Sequence, residues 1–183
     1  MIRIIALLLV SCLSVEISAG DFFSGNKSIA LVNNDGEVYE IANIQFQQQS
    51  DRVTYKIELD ESKFSDEFLS MRPFKCIREQ NLMVCHLVYP YAKQGYITID
   101  DLTDLEYDLL FLHKSADEYG INAWNGLYYL LTVESDKLIG NLNEVDLNVL
   151  AAPPEDGDLR PVTKDMLYEV DPINHMYPSL VIE

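Results

Sequence analysis

Apolar and polar residues alternate along much of the chain, the period of strands with one face in a core and one in water. Residues 28–32 (Ser-Ile-Ala-Leu-Val) and 38–41 (Val-Tyr-Glu-Ile) flank Asn33-Asn34-Asp35-Gly36. An Asp-Gly turn between such runs predicts a hairpin. Residues 44–46 and 53–59 alternate across a Gln-rich polar break and predict a second hairpin. A third centres on Gln80-Asn81, which would pair Glu79 with Leu82, Arg78 with Met83 and Ile77 with Val84. Residues 127–133 form the most strand-like run; residues 134–137 turn it back into 138–142, and residues 145–150 continue extended. Residues 65–69 read as a short capped helix, and residues 21–27 as a leader of turn formers.

One segment shows a helical period instead. Leu102, Leu105, Leu109, Leu112, Ala116 and Tyr119 fall on one face of a helix drawn over 98–119. Thr98 and Asp101 suit a capping box, and Gly120 suits its C-terminal end. Leu110 and Phe111 fall off that face, so they either meet a second layer or mark residues 105–113 as a buried strand. The expected architecture is α+β: a curved, mostly antiparallel sheet of hairpins with one long helix packed on it. An all-β sandwich or small barrel is the alternative if 105–113 is extended. Five of the seven prolines lie in residues 151–183, which predicts an irregular C-terminal segment with a short helix after Thr163. Its apolar residues suggest that it wraps the same single domain, residues 21–183.

The first twenty residues read as an address. Arg3 precedes an apolar run, residues 4–10, and Ser18-Ala19-Gly20 has a small-x-small form. That is the pattern of a secretory signal peptide cleaved after Gly20, and the run is too short to span a bilayer. Leu9-Val10-Ser11-Cys12 also fits a lipobox, which would acylate Cys12 and leave a lipid-anchored envelope protein. Either route gives an extracytoplasmic protein, periplasmic or secreted. It also leaves Cys76 and Cys85 as an even pair. The Gln80-Asn81 turn sets them directly opposite, at a non-hydrogen-bonded position with the close spacing that a disulfide needs.

Composition narrows the partners. Thirteen Lys and Arg against thirty Asp and Glu give a formal net charge of −17, and 48% of residues are hydrophobic. The chain is therefore a folding domain, and nucleic acid is excluded as a partner because phosphate binding needs clustered cations. A basic protein or peptide, or a small ligand, is the electrostatically favoured partner. There is no Gly-x-Ser-x-Gly, no His-Glu-x-x-His, no phosphate loop and no zinc spacing, and the three histidines lie far apart. No cofactor and no metal is expected. Asp100, Asp104 and Asp108 would align along the predicted helix, either as a contact for a basic partner or as a solvated face. Tyr89, Tyr91, Trp124 and Tyr128 gather rings near strand ends, suited to a ligand groove or to ordinary packing. The expected function is an exported, non-catalytic binding or cell-envelope interaction protein. The alternative is a carboxylate-dependent extracytoplasmic hydrolase acting on a glycan or peptide.

Overall fold

Tight turns between alternating segments drive most of the chain into neighbouring antiparallel strands. The structure, a computed structural model, describes residues 22–70 and 73–183. The expected signal peptide, Cys12 and the expected start of the processed chain at Asp21 lie outside the described residues. Strands β1 (Gly25–Val32), β2 (Val38–Gln49) and β3 (Arg52–Leu59) form the first two hairpins, closed at Val32–Val38 and Gln49–Arg52. Asn33 Oδ1 accepts from the N–H groups of Asp35 and Glu37 and shapes the first turn. Strands β4 (Ser65–Phe68), β5 (Pro73–Glu79) and β6 (Leu82–His86) follow, then helix α1 (Thr103–Asp108) and β7 (Phe111–Ser115). The chain ends with β8 (Gly126–Glu134), β9 (Lys137–Val145), β10 (Tyr168–Glu169) and β11 (Ser179–Ile182). All pair antiparallel in one curled, half-barrel sheet of order β3-β2-β1-β11-β9-β8-β7-β6-β5-β4, with β10 also on β9.

The long helix over 98–119 is not formed. Only the six residues of α1 are helical, and residues 111–115 are strand β7. The reason lies in Leu109, Leu110, Phe111 and Leu112, all at most 3% exposed. Leu109 and Phe111 enter one core while Leu110 and Leu112 enter another. A strand covered on both faces is apolar at every position, so its sequence mimics one flank of a helix. The same alternation sends Ile77 and Val84 to the first core, and Cys76, Met83 and Cys85 to the second.

Four smaller expectations also give way. Residues 65–68 are strand rather than helix, held by cross-strand ion pairs from Asp66 to Lys75 (3.0 Å) and from Glu67 to Arg78 (3.1 Å). The leader instead contributes Phe22 and Phe23 to the core, edge-on or tilted against each other and Phe46. Residues 147–151 tighten into a 3-10 turn begun by Asp146. The proline-rich C-terminal segment, which does carry a short 3-10 turn at 164–166, ends in β11 at the centre of the sheet, between β1 and β9. Pro178 sits one residue before that strand, where a missing N–H costs no ladder bond.

The cysteine hairpin has the expected register. Cys76 faces Cys85 across the β5–β6 pair, and a disulfide joins them with a Cα–Cα distance of 4.0 Å. A disulfide is consistent with an oxidising, extracytoplasmic environment. No helix among the described residues is long and apolar enough to cross a membrane.

Candidate functional site

Helix α1 is short, but Asp101, Asp104, Glu106 and Asp108, in or beside it, each have a partner in the fold. Asp101 Oδ1 accepts from Thr103 N–H (3.1 Å), two residues ahead of it at the first residue of the helix. Asp104, with no exposure, accepts from Gly95 N–H (2.6 Å) and pairs with Arg160. Arg160 also reaches Asp101 at 3.4 Å. Asp108 accepts from Tyr55 Oη (2.7 Å) and pairs with Lys93. Its carbonyl lies 2.9 Å from His86 Nε2, and since a carbonyl can only accept, that nitrogen carries the proton.

Glu106 is the fourth acid, 3% exposed. Its Oε2 accepts from Tyr128 Oη (2.5 Å) and its Oε1 from Leu131 N–H (2.8 Å). Burial pushes its carboxyl above the usual range, against those two bonds and the charge of Lys164, while Asp101 pushes it further up. Burial would raise Asp101 too, but bonds from Thr103 and Arg160 outweigh it and hold that carboxyl low. The two acids therefore titrate apart.

An open groove of about 630 Å³ runs over these groups. Asp100, Asp101 and Thr103 line it from the start of α1, Tyr128, Leu131 and Thr132 from β8, and Arg160, Thr163 and Lys164 from the C-terminal strap. Its volume is that of a small-molecule site. The strap is fastened by Arg160 and by Tyr107, whose hydroxyl donates to Val162 O (2.8 Å) and accepts from Val162 N–H (2.9 Å).

The predicted site residues are only partly brought together. Asp100 and Tyr128 line the groove. Asp104 lies beneath it and Asp108 faces Tyr55 and Lys93, so the three aspartates share no solvated helix face. Tyr89 and Tyr91 pack edge-to-face in the second core, with Tyr91 Oη donating to Leu150 O (2.7 Å). Trp124 sits exposed in a 3-10 turn and does not line the groove. No aromatic groove forms from these four rings. Sequence reasoning missed Glu106, Arg160 and Lys164. Arg160 and Lys164 stand in a segment read as irregular, and Glu106 is one acid among thirty.

No family model matches the chain, and no curated protein matches it. Among solved structures, a redesigned β-barrel matches at 12% identity, with 93% of this chain and 97% of that chain covered and a TM-score of 0.27. At that score the likeness carries no argument.

Proposed function

We propose that this is an exported, non-catalytic binding protein whose groove takes a small ligand bearing a cationic group. The observation that carries the reading is the acidic wall: Asp100 and Asp101 are accessible at the groove. Low-dielectric walls focus such a field on a positively charged ligand. Thr103, Thr132, Thr163 and Lys164 supply donors for its other end. Export is supported by the signal-like first twenty residues and by the Cys76–Cys85 bridge. The test is titration calorimetry with polyamines, amino sugars and short basic peptides. A bound class should weaken at least tenfold with the Asp100→Asn/Asp101→Asn variant, and weaken further with salt. Binding unaffected by the variant would remove the groove from the reading.

The raised carboxyl of Glu106 beside Asp101 favours a second reading, carboxylate-dependent hydrolysis. It ranks second because both Glu106 oxygens already accept from the protein, whereas a general acid must aim its proton at a leaving group. Turnover of a glycan or peptide that Glu106→Gln abolishes would reverse the order.

A further inference from the structure

The curled sheet has two ends, β3 and β4, and among the described residues neither meets another full strand on its outer side. On β3 the backbone faces are settled by two observations. Gln49 and Arg52 close a two-residue turn, so even-numbered residues of β3 bond inward to β2. Val53 bonds outward, exchanging both of its backbone bonds with Ile97 (2.8 and 2.9 Å). Tyr55, Ile57 and Leu59 therefore point N–H and C=O outward, and among the described residues those groups find no backbone partner. Their side chains pack partly buried on the main core. On the opposite face Lys56 and Glu58 are 72% and 67% exposed and pair with each other along the strand at 2.5 Å, so each can also meet a charge across the edge.

We infer that this edge pairs antiparallel with the same edge of a second copy, about a two-fold axis through Ile57. In that register Tyr55 faces Leu59 of the second copy, Ile57 faces Ile57, and all three outward residues of each chain sit at hydrogen-bonded positions. Lys56 then faces Glu58 of the second copy at the close, non-hydrogen-bonded position, twice by symmetry. An isologous interface of this kind must be self-complementary, and this charge pattern is. Adjacent registers of the same parity are not. One places Lys56 against Lys56 and needs Val53, which Ile97 already occupies. The other places Glu58 against Glu58, moves Lys56 opposite Asp60 beyond the end of β3, and sets Tyr55 opposite Glu61 of the 3-10 turn, so one of the three outward residues loses its strand partner. Like charges directly opposite destabilise a strand pair and opposite charges stabilise it, so the sequence selects one register. An edge left open would be an aggregation hazard; a single charge-selected partner removes it.

Sedimentation velocity on the purified, disulfide-bonded protein tests this at about 0.15 M salt, where the net charge of each copy is screened over about 8 Å. A reversible dimer is expected. Lys56→Glu should raise its dissociation constant at least tenfold, because two attractive pairs become repulsive. Lys56→Glu/Glu58→Lys should restore it to within about threefold, since the swap reverses both signs and regenerates the same pairs. Ile57→Pro deletes an outward N–H that the single copy does not use, so it should abolish the dimer while the chain still folds. A protein that stays monomeric at every concentration overturns the inference. So does a dimer that the charge swap fails to rescue, which also covers the case of a proline variant that does not fold.

Discussion

Arg160 holds down a carboxylate that has no exposure at all, and its removal is a quantitative test of the network around α1. With Arg160→Ala, the Gly95 N–H at 2.6 Å is the one hydrogen bond left to Asp104 among the described residues. Deleting one partner of a buried pair costs about 3–5 kcal/mol, because the remaining charge is desolvated without compensation. Two features place this case at the lower end of that range. A quarter of the Arg160 side chain is exposed, so water can enter the vacated space, and the Gly95 bond persists. The lost contact to Asp101, whose side chain is 43% exposed, adds at most about 1 kcal/mol. The expected loss is about 3 kcal/mol, a large share of the 5–15 kcal/mol by which domains are typically stable. Urea unfolding at neutral pH measures it, with an unchanged slope marking an unchanged native state. The double variant Asp104→Leu/Arg160→Met should recover most of the loss, since a packed apolar pair needs no compensation. A loss under about 1 kcal/mol for Arg160→Ala would refute the assignment of Asp104 as a buried, Arg-dependent charge.

Other perturbations test other layers. Cys76→Ala/Cys85→Ala should cost about 2.5–3 kcal/mol, the chain-entropy value for a ten-residue loop, and reductant should produce the same shift in wild type. Gly126→Ala should cost about 2–3 kcal/mol in urea unfolding; its Cβ would lie 2.4 Å from Val145 O and 2.5 Å from Leu147 Cγ, and the first of these is backbone that cannot swing aside. Burial pushes the His86 and His113 imidazoles below their ordinary value, and His175 lowers His113 further. The unfolded chain then binds protons that the folded one refuses, so stability is full above about pH 6.5 and falls as the solution is acidified. A urea midpoint followed against pH should show that slope, and His113→Gln should make it shallower. Glu106 has the opposite sign: with its carboxyl raised above the ordinary 4.5, stability falls as pH rises through that window, and Glu106→Gln should remove this component.

The parts of the fold that could be read in advance are those set by neighbours in sequence. The Asn33–Gly36 turn, the Gln80–Asn81 turn and the facing cysteines follow from turn chemistry and the two-residue period, and all three are present. What could not be read depends on partners far away in the chain. Leu110 and Phe111 resisted the helical face because each enters a different core, yet only the position of β6 beside β7 makes that strand explicit. Residues 179–182 carry four residues of strand after a proline-rich run, and nothing local announces that they complete the sheet between β1 and β9. The site shows the same division. Asp104 and Asp108 were visible as acids at helical spacing, but whether such acids face water or Arg160, Lys93 and Tyr55 is decided by segments up to 56 residues away. Three nominated surface charges thus became one exposed residue, Asp100, and two structural ones.

The groove is walled by the start of α1, by β8 and by a strap that Arg160 and Tyr107 fasten, so its strap wall depends on the bond to Asp104. A ligand that binds only the folded form adds RT ln(1 + [L]/Kd) to stability, about 2.7 kcal/mol at a hundredfold excess over Kd. This matches the expected loss in Arg160→Ala. If the proposed groove is the ligand site, that variant should bind more weakly than wild type, because loosening the strap separates Thr163 and Lys164 from the acidic wall. Enough ligand should nonetheless return its urea midpoint to near that of the free wild-type protein. If instead the ligand binds elsewhere, Arg160→Ala should show the wild-type dissociation constant while remaining about 3 kcal/mol less stable at every ligand concentration. Calorimetry and urea unfolding on the same two proteins separate these outcomes. Equal affinity in the presence of the full stability loss would sever the groove from binding while leaving the buried pair intact as a feature of the fold.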